Sequence, residues 1–255
     1  MRDEELLAAA VANNASWCDA VCRSHGYPGT FSSRLWTSTR HRLRFYPNAI
    51  TLRPEATAAE VLAAAATVPS QPFAVKDSFA RLDLAPAGFR LLAEDSWIVR
   101  DGGPDSRDGL DEPGEPPDHR LRWERVASPD ELRDWETAWD GGDSGDVPVF
   151  QPGLLSDPRC DILMCRAEDA IVGGVIVYAA DGVAGISNVF SCGLPLDRLW
   201  RSIGPAVAAV RPHMSVVGYE EGDSLMAARQ AGFHVPGSLR IWRESGRVSG
   251  RSGPR

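Results

Sequence analysis

Three carboxylates follow one apolar segment of the chain and are candidates for a general base. Glu220, Glu221 and Asp223 come directly after the run Ser215–Tyr219, which has the pattern of a strand. Strand ends are where α/β proteins gather their chemistry, and a buried carboxylate has a raised pKa that lets it take a proton from an amine. The alternative is a solvated turn in which Asp223 caps the next helix, and this alternative suits Asp223 better than Glu220.

A second set of candidate residues lies in the first half of the chain. Asn13, Asn14 and Trp17 supply amides and an indole, which suit recognition of a polar ligand, and equally suit helix breaks and a small core. Lys76 is the only lysine in the sequence and stands beside Asp77 at a strand end. A lysine beside an acid is commonly a surface ion pair, so a substrate-binding role for these five residues is one of two interpretations.

The cysteine and histidine pattern argues against a metal. Cys18, Cys22 and His25 fall at positions i, i+4 and i+7, on one face of a helix. Zinc would require a fourth ligand and usually a closer cysteine pair, and no second Cys/His pair with ligand spacing exists in the sequence. We therefore predict apolar packing of reduced cysteines, and no metal site.

The composition of the chain limits the kinds of partner that the protein is expected to bind. The chain has 255 residues, a hydrophobic content of 43% and a net charge of -8, which are the properties of a globular protein without a basic surface. Binding to nucleic acid or to an anionic membrane is therefore not expected. No apolar run approaches the roughly 20 residues that span a bilayer, and the acidic start is wrong for a signal peptide. The predicted location is cytoplasmic.

Local patterns divide the chain into elements and two halves. A proline- and acid-rich segment at 101–119 predicts a linker between a domain at 1–100 and a domain at 120–242, and a tail at 243–255 is expected to be disordered. In the first half, helices are predicted at Asp3–Arg23 and Thr57–Ala66, and strands at Ala49–Arg53 and Phe73–Asp77. In the second half, helices are predicted at 128–141, 196–210 and 223–231, and strands at Arg120–Val126, Asp161–Arg166, Ile171–Tyr178, Val183–Phe190, Ser215–Tyr219 and Leu239–Trp242.

The order of elements in the second half resembles the GNAT superfamily of N-acyltransferases. The resemblance covers Leu121–Trp242 and includes three strands, a helix, a strand, a short helix and the Gly232-Phe233 step. It implies an α/β (α+β) fold with a mixed sheet flanked by helices. It also implies that acetyl-CoA or another acyl-CoA lies where two parallel strands splay apart. The residues implied at that site are Asn188, Val189, Phe190, Ser191, Cys192, Gly193 and Arg198.

Two landmarks of that superfamily are altered. The loop Ser191–Arg198 offers one glycine where phosphate would need several small residues. Pro195 lacks an N–H, and Asp197 is negative in the first helical turn; both residues also simply start a helix well. The position of the tyrosine that protonates the leaving thiolate is Ala228. Tyr219 and Cys192 are the substitute proton donors, and each has an alternative structural role.

A short residue pattern occurs twice in the sequence and suggests an internal duplication. Asp77-Ser78 leads to Ala87-Gly88-Phe89 and then Trp97, and Asp223-Ser224 leads to Ala231-Gly232-Phe233 and then Trp242. The interpretation is that the first half is a shortened GNAT-like copy, or an accessory domain.

Two functions remain open at this stage. The first is an N-acyltransferase with a divergent donor site, which would act on a small-molecule or peptide amine with Glu220 or Glu221 as the base. The second is a catalytically inactive module of the same fold that binds a ligand or a protein partner. A homodimer is compatible with both.

Overall fold

The computed structural model describes residues 2–38, 43–68, 72–102, 121–142 and 147–245. Of the predicted linker at 101–119 and the predicted tail at 243–255, residues 103–119 and 246–255 lie outside the described residues, whereas Arg243 and Glu244 belong to the last strand. The helices are α1 (Asp3–Ser24), α2 (Ala58–Ala66), α3 (Pro129–Asp140), α4 (Leu196–Val210) and α5 (Gly222–Gln230). The strands are β1 (Thr30–Phe31), β2 (Leu35–Thr37), β3 (Ala49–Thr51), β4 (Ala74–Asp77), β5 (Phe89–Arg100), β6 (Leu121–Arg125), β7 (Cys160–Ala167), β8 (Ala170–Ala180), β9 (Val183–Ser191), β10 (Ser215–Glu220) and β11 (His234–Glu244).

The predicted fold class, a mixed sheet flanked by helices, is confirmed. All of these strands belong to one sheet, in the order β1-β2-β3-β4-β11-β5-β10-β9-β8-β7-β6. Neighbouring strands are antiparallel except for two parallel pairs, β3 with β4 and β9 with β10. No helix among the described residues is long and apolar enough to cross a membrane.

Strands from the two predicted halves alternate at the centre of the sheet. β5 belongs to the first half but pairs with β10 and β11 of the second half. β11, the last strand of the second half, pairs with β4 of the first. The order is symmetric about the β5–β11 pair: β4 and β10 flank that pair, followed outward by β3 and β9, β2 and β8, and β1 and β7.

Two of the apolar clusters lie on opposite faces of the sheet. On one side, α1 and α3 cover β7 and β8 around Trp17, Trp135 and Tyr178. On the other side, α4 and α5 cover the alternate residues of β8, β9 and β10 around Trp200. Because successive strand residues point to opposite faces, Val217 and Tyr219 belong with the α1 side, whereas Val216 and Glu220 belong with the α4–α5 side.

Several local signals in the sequence match the structure. Ser128 accepts a hydrogen bond from the backbone of Glu131 and starts α3, which ends at the left-handed Gly141. The turn between β8 and β9 has Asp181 and Gly182 at φ values of 55° and 79°, which two-residue hairpins require. At Gly174, an added Cβ would lie 2.5 Å from both Trp135 and Phe190, so the strand needs glycine there.

The predicted start of β11 and the predicted N-cap of α5 were wrong, whereas the other predicted elements differ from the structure by no more than two residues at their ends. β11 begins at His234 rather than at Leu239, because the strand continues through Pro236 with a register shift between His234 and Gly237. α5 begins at Gly222, and Glu221 rather than Asp223 occupies the N-cap position. Asp223 lies instead in the first turn, where its charge favours the helix dipole.

Candidate functional site

A gap opens in the sheet where β9 and β10 separate. The parallel ladder between them has three register pairs and ends at Val217 and Gly185. Beyond that point β9 carries a bulge, with Asn188 at a φ of 53°. A cavity of about 230 Å³, which we call the splay cavity, occupies the gap. Its wall consists of residues from β9, β10, α1, the segment before β3, and β4: Ile186, Ser187, Asn188, Val189, Tyr219, Glu220, Asn14, Trp17, Cys18, Phe45, Tyr46 and Lys76.

The geometry of the gap suits an extended polar chain such as the pantetheine arm of acyl-CoA. Backbone N–H and C=O groups that have no strand neighbour need another hydrogen-bonding partner, and β9 after Gly185 has lost β10 as its neighbour on that side. Ser187, Asn188 and Val189 line the cavity along this stretch. Of the site residues predicted on β9, Asn188 and Val189 line this cavity, whereas Phe190 and Ser191 are not part of its wall.

The start of α4 is a less favourable place for phosphate. Gly193 has a φ of 83°, and a Cβ there would meet nothing within 4 Å, so the loop is open. Pro195 is the N-cap residue and lacks an N–H. The charge of Asp197 is met by Arg201 at 2.5 Å, which reduces its repulsion of an anion. The first-turn N–H groups of α4 and the exposed Arg198 are the remaining means of holding a phosphate.

Glu220 is the carboxylate best suited to accept a proton. It is partly buried at the end of β10 and lines the splay cavity. Its pKa is raised to about 7: burial is the largest cause, a hydrogen bond from Ser224 acts against it, and the nearby carboxylates of Asp95 and Glu221 act with it. A carboxylate with a pKa of about 7 is half ionised near neutral pH and can both accept and return a proton.

Ser224 and Trp200 fix the position of Glu220. The indole N–H of Trp200 donates to Ser224 Oγ at 3.1 Å, and Ser224 in turn donates to Glu220. Trp200 is fully buried on α4, with its ring 5.5 Å from that of Phe233. The Glu220 side chain is thus tied to α4 and α5.

Lys76 is a buried cation, and not a surface lysine. It is 3% exposed, and its ammonium donates to Asn14 Oδ1 at 2.8 Å and to the Tyr219 hydroxyl at 3.0 Å. Burial opposes its charged form, but the ionisable groups of Tyr219, Cys18 and Asp95 outweigh burial, so the pKa of Lys76 lies above its ordinary value. Lys76 is therefore positively charged at neutral pH.

Tyr219 is one of the residues that line the splay cavity. Its hydroxyl accepts the hydrogen bond from Lys76, and its ring lies edge-on to Trp97 at 5.6 Å. Ala228, by contrast, is fully buried in the apolar cluster on the α4–α5 side. Cys192 is an exposed residue whose thiol donates to the carbonyl of Ala138 at 3.4 Å. Partial desolvation of this thiol raises its pKa.

The other predicted residues are divided between the site and the scaffold. Asn14 and Trp17 line the splay cavity. The amide of Asn13 donates to the carbonyls of Tyr178, Ala180 and Val183, which holds the β8–β9 turn. Asp77 accepts from the backbone of Leu82 in the loop after β4. Glu221 is exposed at the start of α5, and Phe190 contacts Trp135.

The cysteine face of α1 packs as predicted. Cys18 and Cys22 are buried in the apolar cluster, and His25 bonds the carbonyl of Val149 at 2.9 Å. Burial raises the pKa of the Cys18 thiol, so it stays protonated beside the splay cavity. Within the described ranges, no group of three or more potential ligands could hold a metal.

Asp95 and Tyr46 are site residues that sequence reasoning did not identify. Asp95 lies on β5 and is 8% exposed, and Tyr46 lies just before β3 and is also 8% exposed. The pKa of Asp95 is raised to about 6, because burial and the charge of Glu221 together outweigh the opposing charge of Lys76. Asp95 shares one face of β5 with the buried Trp97 and Val99, and an acidic residue at that alternating position was the available signal.

The contribution of Glu220 to the unfolding free energy should fall as pH rises, because its pKa in the folded protein is raised. The folded protein holds the proton of Glu220 up to a pH of about 7, whereas the unfolded chain releases it near 4.5. This contribution to stability is therefore complete below pH 4.5 and is lost as pH rises through 7. We expect Glu220→Gln to be about 2 kcal/mol more stable than the wild type at pH 8 and to have a flatter pH dependence of Tm.

Calorimetric melting between pH 5 and 8 would measure this difference. Glu221→Gln is the matched control, since Glu221 is adjacent but exposed. Equal slopes for Glu220→Gln and wild type would show that Glu220 titrates normally.

Comparisons with known proteins agree on the fold. No protein-family model matches the sequence, and no curated protein matches it. Among solved structures, a GCN5-related N-acetyltransferase from Kribbella flavida has a TM-score of 0.62 at 17% identity, over 93% of this chain and 96% of that chain. A functionally unknown conserved protein from Staphylococcus epidermidis has a TM-score of 0.60 at 14% identity, over 84% of this chain and 92% of that one. A GCN5-related N-acetyltransferase from Sphaerobacter thermophilus has a TM-score of 0.50 at 13% identity, over 76% and 71% of the two chains.

These likenesses show a GNAT fold. The match to the Kribbella flavida structure extends over nearly the full length of both chains, so it includes the first half as well as Leu121–Trp242. The resemblance first suggested by the second half therefore applies to the architecture of the chain as a whole.

Proposed function

We propose that this protein is an N-acyltransferase that transfers the acyl group of an acyl-CoA to an amine. The observation that carries the proposal is the gap between β9 and β10, which ends at a carboxylate whose pKa lies near 7. The fold and the described gap support the donor, and Glu220 and Tyr219 supply the two proton-transfer groups that such a reaction uses.

Backbone hydrogen-bonding groups and positive charge would hold the acyl-CoA donor. The free edge of β9 from Ile186 to Ser191 binds the pantetheine arm, and the first turn of α4 with Arg198 binds the phosphates. When bound, acyl-CoA supplies a thioester carbonyl carbon that is open to attack by an amine. The absence of several small residues in the loop Ser191–Arg198 predicts weaker donor binding than a glycine-rich loop would give.

Glu220 and Tyr219 would divide the proton transfers. Glu220 accepts a proton from the amine as the new C–N bond forms. The Tyr219 hydroxyl gives its proton to sulfur as the C–S bond breaks, and so takes the role that Ala228 cannot fill. Lys76 donates a hydrogen bond to Tyr219, which stabilises the negative charge that develops on this oxygen. The proton on Glu220 then leaves to solvent, and Tyr219 regains one.

Titration with acetyl-CoA tests the donor site. We expect saturable binding of one acetyl-CoA per chain below millimolar concentration by calorimetry. Asp197→Asn removes the negative charge at the helix start, so it should tighten binding about 2- to 5-fold, while Asp223→Asn at the start of α5 should leave binding unchanged. Absence of binding at millimolar acetyl-CoA would contradict the acyltransferase.

A second candidate function is a catalytically inactive binding module of the same fold. It is favoured by one observation, the combination of Ala228 at the proton-donor position with Pro195 at the start of α4. Saturable acetyl-CoA binding together with CoA release in the presence of an amine would exclude it.

A further inference from the structure

A larger cavity adjoins the splay cavity on the α1 side of the sheet. It has a volume of about 860 Å³ and lies against β4, β11 and β5 and the segment before β3; we call it the amino-terminal cavity. Phe45, Tyr46, Lys76 and Tyr219 line both cavities. A molecule in the amino-terminal cavity therefore has direct access to the gap where the acyl donor is proposed to lie.

Two buried polar atoms in this cavity have no hydrogen-bond partner among the described residues. They are Asp95 Oδ1 and the Tyr46 hydroxyl oxygen, and each residue is 8% exposed. A buried polar group without a partner costs about 1–3 kcal/mol, so such groups are rare unless they serve a ligand or a water. Both residues line the amino-terminal cavity.

Opposite charges face each other across this cavity. Lys76 is buried and charged, and two of its three N–H donors are used by Asn14 and Tyr219. Asp95 is a carboxylate on the same side of the sheet, and no ion pair of the described residues joins it to Lys76. Arg44 and Arg243 add positive charge to the wall, which therefore has three cations and one carboxylate.

The rest of the wall is largely apolar. Leu43, Phe45, Pro72, Leu92 and Ile241 provide a surface that accepts a hydrocarbon side chain. A ligand that satisfies the whole cavity thus needs an ammonium group for Asp95, an acid group for Lys76, and an apolar part.

We propose that the amino-terminal cavity binds a free α-amino acid with an apolar side chain, its ammonium group on Asp95, its carboxylate on Lys76 and the Tyr46 hydroxyl. By strand alternation Asp95 shares the α1 side of the sheet with Trp97 and Tyr219, and Ser96 beside it pairs with Glu220 across β5 and β10. An amine held by Asp95 therefore lies in a cavity that Tyr219 also lines and that adjoins the splay cavity, whose wall includes Glu220. The role of this amino acid as acyl acceptor rests on the proposed function, whereas its binding does not.

Binding of matched ligands without acyl donor tests the cavity. The probes are L-leucine, 4-methylpentanoate, which lacks the amine, and 3-methylbutylamine, which lacks the carboxylate. We expect L-leucine to bind at least tenfold tighter than either analogue in calorimetry. Comparable affinity for all three, or no L-leucine binding at 10 mM, would overturn the proposal.

Two variants should weaken the binding of different probes. Asp95→Asn should weaken L-leucine about tenfold or more and leave 4-methylpentanoate unchanged. Lys76→Met should weaken both of these and leave 3-methylbutylamine unchanged. Glu94→Gln is the control, because Glu94 is the neighbouring acid on β5 and pairs with Arg240 outside the cavity.

The remaining outcomes are also decisive. If Lys76→Met does not fold, Tyr46→Phe removes only the hydroxyl and should weaken L-leucine several-fold. Equal losses of all three probes in Asp95→Asn would overturn the assignment of the ammonium group. L-leucine binding in the expected pattern without any acetyl-CoA binding would support the cavity and contradict the acyltransferase.

Discussion

Replacing Glu220 by glutamine should lower kcat/KM for acyl transfer by about 10²- to 10⁴-fold, the range in which a positioned general base contributes. Glutamine keeps the shape of the side chain and cannot accept the proton of the amine. Acetyl-CoA affinity should stay within about twofold of wild type, because the donor is proposed to be held by β9 and α4. The measurement is CoA release with L-leucine as the first acceptor, and with other amines where it is not used.

The pH profile of the same variant gives a second readout. Glu220 acts only as a carboxylate, so wild-type kcat/KM should fall tenfold for each pH unit below about 7 and level off above it. In Glu220→Gln this acidic limb should be absent. Glu221→Gln, which alters an exposed neighbour, should keep both the rate and most of the limb.

Ser224 offers a test of positioning. Its hydrogen bond lowers the pKa of Glu220, so Ser224→Ala should move the acidic limb to higher pH by as much as one unit while leaving the plateau rate within about tenfold. A purely structural role for Ser224 would lower the rate without moving the limb. Retention of the limb in Glu220→Gln would show that another group is the base.

Local sequence signals were sufficient for most of the second half. α4 was predicted at Leu196–Val210 and has those bounds, because a proline before it, an acidic first turn and an apolar face all agree. The gap between β9 and β10 was an expectation that came from the resemblance to the GNAT superfamily. Local signals failed at β11, where Pro236 and Gly237 resemble a break but lie within a strand.

The candidate site was less predictable because its contacts are distant along the chain. Lys76 meets Asn14 across 62 residues and Tyr219 across 143 residues. Asp95 reaches the Glu220 region only because β5 lies beside β10, a pairing between the two predicted halves. No window of sequence contains that information, so Lys76 could be singled out by its rarity but not placed.

The strand order also bears on duplication. The symmetric arrangement about β5 and β11 is the one that two similar halves would give if each contributed its last strand to the other. Duplication itself stays a prediction. The structural consequence does not depend on it: each half completes its core with a strand of the other half.

Two buried tryptophans each pack against residues of the other half. Trp97, from the first half, is 1% exposed and packs with Val183 and Val217 of the second half, and its indole donates to the carbonyl of Ser78 at 2.8 Å. Trp242, from the second half, lies in the core of the first half with Phe73 and Phe89. The two side chains thus couple the stability of one half to that of the other.

We expect Trp97→Ala to lower the unfolding free energy by about 3–5 kcal/mol, since the change leaves a cavity and an unbonded carbonyl. For a chain of this size that corresponds to a fall in Tm of roughly 10 °C. Because β5 lies between strands of both halves, the whole protein should still unfold in one transition, with far-ultraviolet circular dichroism and tryptophan fluorescence changing together. Trp242→Ala removes a side chain of the second half from the core of the first half, and it should lower the Tm of the same single transition. If the halves at 1–100 and 120–242 were independent, each variant would instead separate two transitions and move only one, and the exchanged strands would then contribute little to cooperativity.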